Sequence, residues 1–163
     1  MYYITANPGG GYVGGDSYRI AVDVADGASI LFTDQSATKV YRTPESFVSQ
    51  KIDFHVGAGA VLEYVPDQLI LYRDADFRQH MTVDLDPEAS AFLSDIVTPG
   101  WSPDGGQFRY RQAHLRSEVR VGGKLALVDN MRIMPELDAE TLHSPTFLGQ
   151  NTHFATALSL IHI

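Results

Sequence analysis

Hydrophobic and polar positions alternate with period two along most of this chain. Tyr18, Ile20, Val22 and Val24 alternate with Arg19, Ala21, Asp23 and Ala25. Ile52, Phe54 and Val56 alternate with Lys51, Asp53 and His55. Phe77, Met81, Val83 and Leu85 share one face, with Arg78, His80, Thr82 and Asp84 on the other. Leu115, Val119 and Val121 do the same against Arg116, Glu118 and Arg120. Such a pattern predicts half-buried strands. Turn residues separate the runs: Asp26-Gly27, Gly57-Ala58-Gly59, Asp86-Pro87-Glu88 and Gly122-Gly123. Asp-Gly and Gly-Gly supply the positive φ of tight turns, so four hairpins are expected.

The first three turn units resemble one another. Val24-x-x-Gly27-Ala28-x-Ile30 matches Val56-x-x-Gly59-Ala60-x-Leu62, and a weaker copy runs from Leu85 through Glu88-Ala89 to Ala91-Phe92. The shared alanines, at 28, 60 and 89, recur near every thirty residues. A fixed period of that length predicts stacked units. The fold class expected is all-β: stacked β-hairpins in a β-helical, two-layer sheet architecture with little helix. Pro135 and Pro145 bracket one short helix candidate, Glu136–His143. Gln35–Lys39 and Pro44–Ser49 are expected as single turns, and Thr98–Gly106 as an exposed loop.

Composition narrows the chemistry. The 163 residues hold no cysteine, which excludes a disulfide scaffold, a thiolate metal site and a Cys nucleophile. Twelve Lys and Arg against 20 Asp and Glu give a net charge of −8. That balance repels nucleic acid and anionic membranes and attracts cations and basic proteins. No apolar run is long enough to span a membrane, and no Lys or Arg precedes Arg19, so a soluble, cytoplasmic protein is expected. The six histidines, His55, His80, His114, His143, His153 and His162, show no zinc-site spacing and are expected to face solvent.

Four segments carry candidate chemistry. Asn7–Asp16 holds five glycines, Gly9, Gly10, Gly11, Gly14 and Gly15, and closes on Asp16. It lacks the Gly-Lys-Ser/Thr and the following helix of a phosphate loop, so a structural loop is the simpler reading. Gln35–Arg42 joins small residues to Lys39, Tyr41 and Arg42 and breaks the acidic trend, without a nucleophile motif. Glu63 is an acid inside a strand, significant only if it faces an interior cavity. Asp95 and Asp129 are embedded in apolar strand sequence, where an edge or solvent-facing position is the simpler expectation. A rival functional reading is an all-β small-ligand-binding module or hydrolase with a site near the Gly-rich loop and Trp101.

In order, these segments resemble the urease accessory protein UreD (UreH) family. Asn7 to Asp16 matches its Asn-x-x-Gly-Gly-x-x-Gly-Gly-Asp run, and Gln35 to Tyr41 its Gln-Ala-Ala-Thr-Lys-x-Tyr-like run, which includes Thr38. Gly59 to Pro66, with Ile70, matches its Gly-Ala-x-Leu-Glu-Trp/Tyr-x-Pro run. The resemblance implies a β-helical fold and a non-enzymatic scaffold that helps deliver nickel to apo-urease. It implies binding to UreF, through UreF to UreG, and to the urease apoprotein, with Ni²⁺ in transit along an internal polar tunnel and no tightly bound cofactor. By motif position it marks Asp16, Thr38, Asp95 and Asp129 as relay candidates, with Glu63 by motif membership. Oxygen ligands suit such transit, because they hold Ni²⁺ less tightly than thiolate or imidazole cages. Two departures stand out: Asp67-Gln68 replaces the family's Gln-Glu, and Asp129 stands where relatives often carry Glu. The same comparison predicts that 1–157 is the central part of a longer domain, with N- and C-terminal portions missing. Leu158–Ile163 matches the in-frame translation of a common transposon-derived sequencing adapter, which predicts a non-native end.

Overall fold

The computed structural model describes residues 1–161. Two sheets face each other. The five-stranded sheet runs in the order β11 (Lys124–Ile133), β10 (Gln112–Val121), β8 (Asp76–Leu85), β5 (Val48–Val56) and β2 (Ser17–Val24). The seven-stranded sheet contains β1 (Tyr2–Thr5), β3 (Ser29–Asp34), β6 (Val61–Val65), β9 (Ser90–Val97), β7 (Leu69–Leu71) and β4 (Thr38–Val40), with β12 (Phe154–Leu160) against β9. The all-β, stacked, two-layer architecture is as the repeat predicted.

The pairing differs from the expected hairpins. Around Asp26-Gly27 the chain leaves one sheet and enters the other, so β2 and β3 face each other across the core. The same holds for β5 and β6, and for β8 and β9. Neighbours within a sheet are instead successive coils, paired in parallel: β2 with β5, β5 with β8, β3 with β6 and β6 with β9. A period-two pattern cannot separate these arrangements, since both bury one face of each strand. Register settles it. Ile20 pairs with Ile52 and Ile52 with Met81, while Ile30 pairs with Leu62 and Leu62 with Ala91. These offsets equal the alanine spacings, so the sequence repeat is the coil length. Of the four expected hairpins, only Gly122-Gly123 closes a true one, β10 to β11, with both glycines at positive φ (55° and 77°) as a type I′ turn demands.

The corners stack as well. Asp26 Oδ1 accepts a hydrogen bond from Ala58 N of the next coil (2.9 Å), and Gly27 N donates to Ala58 O (2.8 Å). Inside, one apolar cluster gathers Ile52, Phe54, Leu62, Met81 and Leu93. A second gathers Val40, Val48, Leu71, Phe77 and Leu115.

Three local expectations are corrected. Glu136–His143 forms irregular turns rather than a helix, because the Asp138 carboxylate takes Met134 N (2.7 Å) while Leu142 and Leu148 turn into the second cluster. Gln35–Lys39 is no single turn: Gln35–Ala37 form the break between β3 and β4, and Thr38 and Lys39 already belong to β4; Pro44–Ser49, by contrast, holds the expected turn at Pro44-Glu45 before β5. Thr98–Gly106 is exposed only in part: Thr98 and Ser102 are buried, and Thr98 Oγ1 donates to Leu69 O (3.0 Å). Among the described residues no helix is long and apolar enough to cross a membrane. Leu158 and Leu160 lie in β12, in register with Leu93 and Ala91; His162 and Ile163 fall outside the described residues.

The packing yields a direct expectation. Phe54 is fully buried, whereas Phe92 lies on the outer face. Chemical denaturation should show Phe54→Ala costing about 3–5 kcal/mol, and Phe92→Ala roughly 1 kcal/mol or less.

Candidate functional site

The two apolar clusters are divided by a polar layer. Along β5 the inward residues run Val48, Gln50, Ile52, and along β8 Phe77, Gln79, Met81. Gln50 and Gln79 are both buried. Opposite them the seven-stranded sheet is broken. β3 stops at Asp34 and resumes as β4 at Thr38, and β6 stops at Val65 and resumes as β7 at Leu69, after Pro66. Proline cannot donate to a ladder, so Pro66 enforces its break. β9 passes both breaks uninterrupted and carries Asp95 there, inward between Leu93 and Val97.

Asp34 and Asp95 therefore face the layer from the same sheet. Gln79 Nε2 donates to Asp95 Oδ1 (3.2 Å), and Thr5 Oγ1 donates to Asp34. Among the described residues neither carboxylate has an ion-pair partner. Burial pushes Asp95 up to about 6; the Gln79 bond pulls it down, and the charge of Asp129 pushes it up further. Burial also raises Asp34, against the hydrogen bonds from Thr5 and the Asp67 backbone. Between them the buried Tyr64 phenol is held protonated, well above its ordinary range, by burial and then by the charges of Asp95 and Asp34.

Two cavities meet at this layer. The larger, about 290 Å³, opens at the Gly-rich loop and is lined by Asn7, Gly10, Tyr12, Asp34, Thr38 and Gln50 among others. The smaller, about 20 Å³, continues past Asp34, Thr38 and Gln50 to Gln79 and Asp95. That volume suits one water-sized occupant. The shared lining of Asp34, Thr38 and Gln50 makes one polar path from the loop to Asp95.

The sequence-derived candidates divide clearly. Thr38 and Asp95 lie on the path. Asp129 is inward and half-buried on β11, in register with the buried Ser117, near enough for its charge to reach Asp95. Asp95 thus faces inward from a strand paired on both sides, contrary to the edge or solvent-facing position expected from sequence, whereas Asp129 faces inward from β11, an edge strand as expected. Asp16 lies outside both linings. It ties the Gly-rich loop, accepting from Val13 N (2.9 Å) and Tyr18 Oη (2.8 Å). Glu63 is exposed on the outer face of β6, away from the layer. Gly9, Gly14, Gly15 and Gln35 lie on exposed backbone, while Lys39 lines the larger cavity. The loop itself stacks as a rung beside β4: Tyr12 N donates to Lys39 O and Tyr41 N to Tyr12 O, both at 2.8 Å. A Cβ on Gly11 would fall 2.7 Å from the Tyr41 ring, so this approach requires glycine. Trp101, paired with the loop in the rival reading, is exposed and outside the larger cavity's lining. His55, His80, His143 and His153 are exposed and His114 half-buried. Among the described residues no three His, Asp or Glu side chains gather as metal ligands would.

Sequence reasoning missed Asp34, Gln50, Gln79 and Tyr64. The signal was the alternation itself. Asp34 is the next inward position after Ile30 and Phe32, and Gln79 the one between Phe77 and Met81.

These features define a class: a parallel two-sheet β-solenoid with an uncompensated acidic layer through its core. Comparison with known proteins places it further. The family model described as UreD urease accessory protein matches residues 1–162. A urease accessory protein UreD from Arthrobacter sp. (strain FB24) is 49% identical over 143 residues, covering 85% of this chain and 49% of that protein. The Actinomyces naeslundii protein of the same name is 50% identical over 133 residues, covering 82% and 49%. That of Bacillus cereus (strain ATCC 10987 / NRS 248) is 38% identical over 155 residues, covering 95% and 56%. The chain belongs to the UreD urease accessory protein family. It spans about half the length of the curated relatives it matches. The family description is of an accessory protein rather than an enzyme, in line with the non-enzymatic reading.

The raised Asp95 has a measurable consequence. Its pKa is higher in the fold than the ordinary 3.8, so the folded state holds the proton more tightly. That contribution to stability is complete below about pH 4 and is lost as pH rises through about 6. Asp95→Asn should therefore match the parent near pH 4 and exceed it above pH 6, by up to about 3 kcal/mol. Urea melts across this range check it.

Proposed function

We propose that this chain forms the central part of a nickel-delivery scaffold for urease maturation, acting with UreF, UreG and apo-urease. Ni²⁺ is cargo, passed along the polar layer and not retained. The supporting observation is the pair of inward carboxylates, Asp34 and Asp95, without ion-pair partners among the described residues. A buried charge without a partner is costly, and a passing cation relieves it. Carboxylate, amide and hydroxyl oxygens from Asp34, Asp95, Gln50, Gln79 and Thr38 bind a borderline cation weakly enough for release. Asp129 tunes Asp95 through its charge. In this reading Asp16 shapes the loop at the cavity mouth and Glu63 takes no part.

The test is urease activation in cells carrying the full-length gene within its urease gene cluster. Asp34→Asn and Asp95→Asn should lower the nickel content of purified urease by about tenfold or more. Glu63→Gln should leave it unchanged. Full loading in both layer variants, or in a strain lacking the gene, overturns the reading.

A further inference from the structure

The two cavities of the polar path differ in what they can hold. The larger measures about 290 Å³ and the smaller about 20 Å³. A divalent cation carrying six waters fills roughly 180 Å³, at about 30 Å³ per water. It fits the larger cavity whole. The smaller holds one water-sized body, so a cation enters it only after giving up most of its shell. The change falls where the two linings overlap, at Asp34, Thr38 and Gln50.

All three residues bring oxygen to that neck. Asp34 ends β3, Thr38 opens β4, and Gln50 reaches in from β5 of the facing sheet. Gln50 is only 8% exposed, yet its side-chain amide makes no hydrogen bond among the described residues. The one fully enclosed side-chain polar atom there without a partner is Tyr110 Oη, so the Gln50 amide is open to the cavities it lines. A polar group this deeply buried and left unbonded is costly unless something in the cavity satisfies it.

Charge is graded along the same line. Among the described residues Lys39 is the only Lys or Arg in either lining, and Asp34 is the only carboxylate beside it in the larger cavity. Asp16 stands behind Tyr18, whose hydroxyl it accepts. The smaller cavity adds Asp67 and Asp95 and no cation. The path therefore grows more negative inward, which draws a cation on from a first station that Lys39 keeps weak. Since no three His, Asp or Glu side chains gather among the described residues, nothing in the larger cavity takes a whole shell at once. Contacts there run through the cation's own waters.

We propose that Asp34, Thr38 and Gln50 form a dehydration neck. The larger cavity receives the hydrated divalent cation, and the three oxygens replace its waters one for one as it passes to Asp95. Each water released returns to the larger cavity, and only metal–oxygen bonds change. The inference deepens the proposed function and rests on it for the cargo.

The experiment uses crystals of the full-length family protein and two probes, Ni²⁺ and hexaamminecobalt(III). The ammonia ligands of the cobalt complex do not exchange, and it matches a hydrated cation in size. Anomalous scattering at the two metal edges locates each probe. The complex should occupy the larger cavity, stay out of the smaller one, and in short timed soaks exclude most of the nickel from Asp95. Thr38→Val with Gln50→Leu should hold nickel in the larger cavity and lower it at Asp95 by about tenfold or more. Thr38→Ser and Gln50→Glu, which keep an oxygen at each place, should restore passage. The cobalt arm needs no variant, so it decides even where the paired substitution does not fold. Cobalt only at surface carboxylates, or nickel at Asp95 undiminished by the complex or by the paired substitution, overturns the neck and leaves delivery standing. Nickel absent from Asp95 in the parent overturns the neck and the delivery reading together.

Discussion

The parallel backbone ladder between successive coils is the constraint on which everything else depends. Each strand hydrogen-bonds to its counterpart one repeat away, so the spacing of residues in sequence becomes spacing between rungs. A slip of one residue would turn every inward side chain outward. The stacked corner at Asp26 and Ala58 resists that slip, because a side chain of one coil is bonded to the backbone of the next. Identical positions in successive coils consequently form rows: apolar ones inside, a polar one at Gln50 and Gln79, and an aromatic one outside at Tyr41, Tyr72 and Trp101.

The polar row is costly to the fold. It separates two apolar clusters that would otherwise be continuous. It coincides with two breaks in the facing sheet and places Asp34 and Asp95 where burial disfavours their charge. A purely structural core would be more stable with aliphatic residues in these places, since a buried carboxylate without a partner contributes no stability in its charged form. Retention of such a row is understandable where a cation must enter and leave.

Much of this was legible in sequence, for a physical reason. Alternation at Ile52–Val56 and Met81–Leu85 reports burial of one face, and the alanines at 28, 60 and 89 report the coil length. Alternation does not report which strand is the hydrogen-bonding neighbour, so the arcs at Asp26-Gly27 and Asp86-Pro87 read as hairpins. Motif position marked Asp16, Thr38, Asp95 and Asp129, and motif membership Glu63; of these Thr38 and Asp95 line the polar path and Asp129 faces inward nearby, while Asp16 holds hydrogen bonds within the Gly-rich loop and the parity of β6 turns Glu63 outward. Asp34 and Gln79 escaped because a single polar residue in an apolar series looks like an interruption. Only the facing sheet shows that several such interruptions lie at one level.

The central claim is that the polar layer accepts nickel. Anomalous scattering at the nickel edge, from crystals of the full-length protein equilibrated with limiting Ni²⁺, tests it most directly. The account predicts a partly occupied site between Asp34 and Asp95 that empties on washing. Nickel found only at surface histidines such as His55 or His80, with none in the layer, would contradict it.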